Sequence, residues 1–487
     1  MTFKGFYTTI FYKKGYYGTY MKKRILIALL GAFILIIVGC KSTKSIEINM
    51  LATTDLHGYL PYELTSYIKN EKSKSKNTLL VDAGDFLSVG KSGSSMAKYF
   101  DTKQSNDEYD TKYLETPIVK DMKEIGYDAV VLGNHEFIEN NKAQLDHMVS
   151  DFKKYDIDLL SANTYKESGE NYVSPYVIKN ISTSEGNLKL GILGLTIQEV
   201  GQTYETIGNE NIKPTSEGLK DFQGYNSSLY MGDLVKDANK WVNVMKKENV
   251  DIIVAVAHSG EESDSDKYPG NRVQELAKKV NGIDVIVAGH THKQIYQHDY
   301  KNKLKEKVIV TQPGKYGECI SKINFKIKKN NNKWNVVSKS SELIKFKESK
   351  EDKNFEELVD KFVEFAIERQ SHDRTGEINL KDITPFSWDK AYVFEPHTSS
   401  EKIYDTIGYK WNDIKKTDSE DMIQMIFMKN NKVVCHFYGY EKYLFTDFIL
   451  NKSYYKDNVL IIYPNKNDRF KFEVDKMWLN TSLKYIK

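Results

Sequence analysis

Cysteine is scarce in this chain: three residues among 487, with no CxxC pair. That excludes a disulfide-framed scaffold and a thiolate zinc module. Cys319 and Cys435 lie far apart in the sequence and are expected to be structural bystanders. An excess of basic charge is also missing. The formal net charge is +3, from 70 Lys and Arg against 67 Asp and Glu, but residues 1–39 hold six of the basic residues and no acidic one. Beyond them the balance is 64 basic to 67 acidic, about −3 with His neutral, so no overall bias points to a nucleic-acid partner. No internal repeat is apparent, which argues against a solenoid. The apolar run Ile25–Val38 is shorter than the ~20 residues that span a bilayer comfortably.

That run reads instead as the core of a secretory leader. Lys22-Lys23-Arg24 precede it, Met21 offers a second start, and it ends in Ile37-Val38-Gly39-Cys40. Small residues before a Cys resemble a bacterial lipobox, in which Cys40 is lipidated and begins the mature chain. The expectation is a leader over 1–39 and a lipid anchor at Cys40, with the rest held outside the cytoplasm at the cell membrane.

The length implies at least two domains. Short β-like runs recur at Ile46–Ala52, Leu79–Asp82, Ala129–Leu132, Leu159–Ala162, Leu188–Leu195, Ile252–Ala257, Val285–Ala288 and Val308–Thr311. Helical patterns at Thr116–Ile125, Lys142–Tyr155, Asp233–Lys247 and Val273–Val280 alternate with them, as in an α/β domain. The Asn-containing run Lys328–Lys333 is a hairpin tip. Lys353–Arg369 reads as an amphipathic connecting helix. From Ile378 the alternation stops, and the tail is expected to be a small α+β domain. The predicted division is 40–345 for the α/β domain, 346–377 for the linker and 378–487 for the tail.

Chemistry-bearing residues gather just after the predicted strands. Asp55-Leu56-His57-Gly58, Gly84-Asp85, Gly133-Asn134-His135-Glu136, His258-Ser259-Gly260 and Gly289-His290-Thr291-His292 each follow one. Ligands of open α/β sheets collect at the carboxyl ends of strands. Imidazole with carboxylate suits divalent Zn, Mn, Fe or Co, and D-x-H or H-x-H spacing lets alternate side chains face one ion. A lone His at a strand end is more often structural, and a lone Asp there is usually a helix cap. Here five of ten histidines fall in such motifs, which chance does not readily give. The other five, His147, His298, His372, His397 and His436, are expected to be surface or packing residues. Glu261–Lys267, after His258, is expected to be a solvated loop near the entrance.

In this order the motifs resemble those of calcineurin-like metallophosphoesterases, in the branch of 5′-nucleotidases and 2′,3′-cyclic nucleotide phosphodiesterases. Thr53–Gly58, Ala288–His292 and Gln312-Pro313-Gly314-Lys315-Tyr316-Gly317 are typical of that branch, and the resemblance runs from Ser45 to Leu343. It implies two sheets packed face to face and flanked by helices. It implies one divalent metal on Asp55, His57, Asp85 and His292, and a second on Asp85, Asn134, His258 and His290, with Asp85 shared. Two ions ~3.5–4 Å apart would supply a bridging hydroxide for in-line attack on a small phosphate ester, a nucleotide by this resemblance. His135 would protonate the leaving oxygen.

Two departures stand out. Nucleotidases of this type often have Asp three residues after the catalytic His, where this chain has Ile138, with Glu139 next. Their C-terminal domain is also larger and supplies an Asn-Gly-Gly-type loop, an Arg for phosphate and aromatics that stack the base; Ile378–Lys487 is too short for that domain and has no such loop. Trp388, Tyr392, Phe394 and Tyr404 could stack a base, though aromatics of a small domain more often form its core. The alternative function is a non-catalytic surface-binding lipoprotein on the same scaffold.

Overall fold

A computed structural model describes residues 45–105, 115–207, 211–262, 270–371, 373–411, 414–417, 419–476 and 480–486. The leader, Cys40, His372 and most of the Glu261–Lys267 loop lie outside the described residues. Among the described residues no helix is long and apolar enough to cross a membrane.

Two six-stranded sheets form the first domain. In the first, Ile46–Thr53, Leu79–Asp82, Ala129–Val131 and Asp158–Leu160 run parallel. The antiparallel pair Cys319–Asn330 and Lys333–Lys345 extends its edge beside Ile46–Thr53. In the second, Gly186–Thr196, Ile252–His258, Val285–Ala288 and Lys307–Pro313 are parallel, flanked by antiparallel Tyr176–Thr183 and Gln294–Lys301.

Period-two alternation assigns each side chain to a layer. Along Ile252–His258, Ile252, Val254 and Val256 enter the core between the sheets with Ile48, Met50, Val81 and Val131. Ile253, Ala255 and Ala257 point the other way, against Leu234, Val242 and Leu276 of the helices Leu234–Lys247 and Val273–Lys279. On the far face of the first sheet, Leu51, Leu80 and Val130 pack on Val119 and Met122 of Pro117–Ile125 and Leu145 of Lys142–Lys154. The result is four layers, helix–sheet–sheet–helix. Each fully buried Val, Ile or Leu contributes about 1.5–3 kcal/mol relative to exposure.

The Lys328–Lys333 tip is a two-residue turn. Asn331 and Asn332 take φ of +48° and +62°, the pair of left-handed residues that a type I′ hairpin demands.

The second domain has two four-stranded sheets and the helix Ser400–Ile407. The helix expected as a connector spans Lys350–Gln370. Its Leu358, Phe362 and Phe365 enter the same core as Phe427, Phe437 and Phe470. A second junction joins the domains directly. The Tyr440 N–H donates to the Gly93 carbonyl at 3.1 Å, and Lys442 and Tyr443 both reach Asp101. The free thiols Cys319 and Cys435 are both buried.

Candidate metal centre

The five motif loops meet at the carboxyl ends of the parallel strands. The first two are laced by their backbones: the N–H groups of Asp55, His57 and Gly58 donate to the carbonyls of Gly84, Asp85 and Phe86 at 2.9, 2.9 and 2.7 Å. Gly133 is needed where the second and third loops touch, because a Cβ there would lie 2.3 Å from Asp85 Oδ1. Asp55, His57, Asp85, His290 and His292 all adopt left-handed backbone, φ +47° to +70°. Non-glycine residues pay energy for that conformation, and such strain collects at functional sites.

The side chains converge in two overlapping groups. Ligand atoms of Asp55, His57 and His292 lie within 4.8 Å of one another, and so do those of Asp85, His258 and His290. In the first group the Nε2 atoms of His57 and His292 are 3.2 Å apart, and His292 Nε2 is 3.5 Å from Asp55 Oδ1. In the second, His258 Nε2 is 3.1 Å from both Asp85 Oδ2 and Asn134 Oδ1, which is 2.9 Å from His290 Nδ1. Asn134 opens the short helix His135–Ile138 without capping it, so its side chain is free for this group. Asp85 Oδ1 accepts the N–H of His135, the first residue of that helix, at 2.8 Å. His57 and His135 also form a trio with Asp85, which places Asp85 between the two groups.

Supporting residues fix these orientations. His258 Nδ1–H donates to the Ala83 carbonyl at 2.8 Å, turning Nε2 into the site. The buried Glu136 carboxylate accepts from the backbone N–H groups of Asp85, Leu87 and Gly133 at 3.0, 2.9 and 2.6 Å. Thr54 Oγ1–H donates to Asp55 at 2.7 Å. Buried Asp82 accepts from Thr53 Oγ1–H at 2.6 Å and from the Gly84 N–H at 2.9 Å. Asp82 was not among the expected site residues, and an acid ending an otherwise apolar strand was the signal for it. Glu261 is buried and accepts from Tyr300 at 2.7 Å and His298 at 2.9 Å, so it belongs to the wall, unlike the solvated loop expected there.

The electrostatics call for positive charge. Asp55 and Asp85 are 0% and 2% exposed, and among the described residues their ion-pair partners are all histidines. Burying carboxylates without compensation is costly. Burial pushes Asp85 upward, but the His258 imidazolium and His135 outweigh it and hold Asp85 below its ordinary value. Burial lowers His258, and the Asp85 carboxylate overrides it, raising His258 to about 10. Burial lowers His57 and His290 to about 4, so both are neutral donors at pH 7. Neutral imidazoles, carboxylates and an amide oxygen form a donor set that fits divalent cations.

His135 stands beside this cluster. Its Nε2 is 3.9 Å from Asp85 Oδ2, and its ring edge meets His57 with centroids 4.7 Å apart. Ile138 is 40% exposed, and the carboxylate near His135 is that of Glu139, 3.5 Å from Nδ1. Glu139 raises the His135 pKa above its ordinary value against the opposing effect of burial.

Residues 48–294 match the family model described as calcineurin-like phosphoesterase. The chain belongs to the calcineurin-like phosphoesterase family. Among curated relatives of this phosphoesterase, the trifunctional nucleotide phosphoesterase protein YfkN of Bacillus subtilis (strain 168) is 29% identical over 61% of this chain and 20% of its own length. A 2′,3′-cyclic-nucleotide 2′-phosphodiesterase/3′-nucleotidase of Yersinia enterocolitica is 23% identical over 66% of this chain and 49% of its own. A 5′-nucleotidase of Vibrio parahaemolyticus serotype O3:K6 (strain RIMD 2210633) is 28% identical over 56% of this chain and 47% of its own. The phosphoesterase chain thus spans half or less of the length of these relatives.

Proposed function

We propose that this protein is a two-metal hydrolase of small phosphate esters, with nucleoside monophosphates or 2′,3′-cyclic nucleotides as substrates. The observation that carries the reading is the pair of overlapping donor groups with Asp85 between them. Asp55, His57, Asp85 and His292 would hold one divalent ion, and Asp85, Asn134, His258 and His290 the other. Zn, Mn, Fe or Co all suit these donors. When bound, the ions supply Lewis acidity and an activated water for attack at phosphorus. The protein's part is geometric and electrostatic. Loops fixed by backbone hydrogen bonds and Glu136 hold the donors in place without reorganisation. His135, with Glu139 behind it, is placed to give a proton to the leaving oxygen. The names of the relatives support the nucleotide preference. The leader-like N-terminus and Cys40 support a lipid-anchored, extracytoplasmic location.

The deciding experiment supplies residues 41–487 with Mn²⁺ or Zn²⁺ and follows AMP, 2′,3′-cyclic AMP and bis-p-nitrophenyl phosphate. Metal-dependent release of product is expected. Protein that binds no metal and turns over none of the three would sink the proposal.

Metal uptake should depend on pH in a defined direction. The metal-free His258 holds a proton up to about pH 10, and a cation at Nε2 must displace it. Apparent affinity should therefore rise by about tenfold per pH unit between roughly pH 7 and 9, with about one proton released. Calorimetry in two buffers of different ionisation enthalpy measures that proton. Affinity independent of pH across this window would contradict the His258 assignment.

A further inference from the structure

A cavity of about 670 Å³ reaches the candidate metal centre at His57, the one proposed ligand that lines it. Its walls come from both domains. His57 and Tyr59 belong to the first site loop, Tyr316 follows the strand Lys307–Pro313, and Phe355 and Val359 stand on the helix Lys350–Gln370. The volume lies in the range of small-molecule sites and accommodates a nucleoside.

The C-terminal aromatics considered for base stacking do not line this space. Trp388, Tyr392 and Phe394 are 5%, 7% and 2% exposed, packed within the second domain. Tyr316 does line it, and the residue is 46% exposed. The ring centre is 5.4 Å from that of His57, and the Tyr316 N–H donates to the Asp55 carbonyl at 2.8 Å. An accessible aromatic is thus tied directly to two proposed metal ligands. Lys315 Nζ lies over the same ring at 4.9 Å.

The cavity also has a sign. Glu63, Glu318, Glu348, Asp352, Glu356 and Asp360 line it, against Lys91 and Lys347. Lys91 is engaged within the wall, 2.8 Å from Glu356 and 4.2 Å over the Tyr59 ring. Carboxylates accept hydrogen bonds from hydroxyl and amino groups and repel phosphates.

We propose that this cavity between the domains holds the nucleoside portion of the substrate, with its base on Tyr316 and its hydroxyl and amino donors meeting Asp352 and Glu348. The proposal rests on the phosphoesterase reading above and adds to it a base site built on the first domain and the helix Lys350–Gln370. It also adds a charge filter. A nucleoside portion bearing further phosphates meets the carboxylates, so AMP and 2′,3′-cyclic AMP are preferred to ADP and ATP.

Adenosine, which carries no phosphate, tests the cavity apart from catalysis. Calorimetric titration of the full chain should show binding, weakened about tenfold in Tyr316→Ala. Glu348→Lys combined with Asp352→Lys should narrow the AMP-over-ADP preference in kcat/KM by about tenfold. Adenosine affinity unchanged in a Tyr316→Ala protein that still unfolds cooperatively would overturn the base site. An unaltered AMP-to-ADP ratio in the double reversal would overturn the filter. A chain that binds adenosine through Tyr316 yet hydrolyses no phosphoester keeps the cavity and loses the phosphoesterase reading. A chain that hydrolyses bis-p-nitrophenyl phosphate but binds no adenosine does the reverse.

Discussion

Asp85→Asn lowers metal-dependent turnover by about 10³-fold or more while the protein stays folded. The substitution keeps the side chain's shape, so the packing around a residue that is 2% exposed is undisturbed. What changes is the charge and one donor direction. Asp85 Oδ1 accepts the His135 backbone N–H at 2.8 Å, and Oδ2 faces His258 Nε2 at 3.1 Å. An Asn must keep its carbonyl oxygen on the His135 N–H, which turns its NH₂ toward His258 and the proposed ion positions. A donor then points where a cation is to sit. The site also falls from two carboxylates to one, and His258 loses the anion that raises its pKa to about 10. Metal content by mass spectrometry should fall together with hydrolysis of bis-p-nitrophenyl phosphate, with the unfolding temperature as the folding control. A folded variant that keeps two ions and more than about a tenth of the activity would show that Asp85 is not the shared ligand.

The positions of these side chains were legible in the sequence because strand ends are legible. Apolar runs such as Ile252–Ala257 and Val285–Ala288 mark buried parallel strands, and the polar residue that breaks each run must lie at its carboxyl end. His258 and His290 follow from that rule alone. The left-handed backbone of Asp55, His57, Asp85, His290 and His292 does not, because local preference opposes it and contacts between distant loops impose it. The strands Cys319–Asn330 and Lys333–Lys345, the latter at the sheet edge, were missed apart from their tip. Their outer faces are polar, with Lys322, Lys326 and Lys328 interleaved, so the apolar signal is diluted. The helix Lys350–Gln370 was recognised as amphipathic, but its partner was not, since Phe427, Phe437 and Phe470 are remote in sequence. Glu139 shows the same limit on a smaller scale. Its place beside His135 depends on the turn of the four-residue helix His135–Ile138, where residue i+4 returns to the same face. Motif comparison at Ile138 alone leaves His135 without a carboxylate, and the structure supplies one from the next position.

That pairing leads to the second large effect. His135→Ala should lower kcat for AMP by about 10²–10⁴-fold, the range for loss of a positioned general acid. The loss should depend on the leaving group. Adenosine departs as a basic alkoxide that needs a proton, whereas p-nitrophenolate is stable without one. Bis-p-nitrophenyl phosphate should therefore lose no more than about tenfold. The pH profile carries the sign. The acid form of His135 is the active one, so turnover of AMP falls as pH rises through its pKa. Glu139 raises that pKa. Glu139→Gln removes the carboxylate charge, lowers the pKa and moves the falling limb to lower pH, with little change below it. Steady-state rates for both substrates from about pH 5 to 10 separate the possibilities, since the limb reports the essential acid. Equal losses on AMP and the nitrophenyl ester would make His135 a positioning residue, its ring holding His57, 4.7 Å away between centroids, and Asp85, 3.9 Å from Nε2. An unmoved limb in Glu139→Gln would assign that limb to a group other than His135.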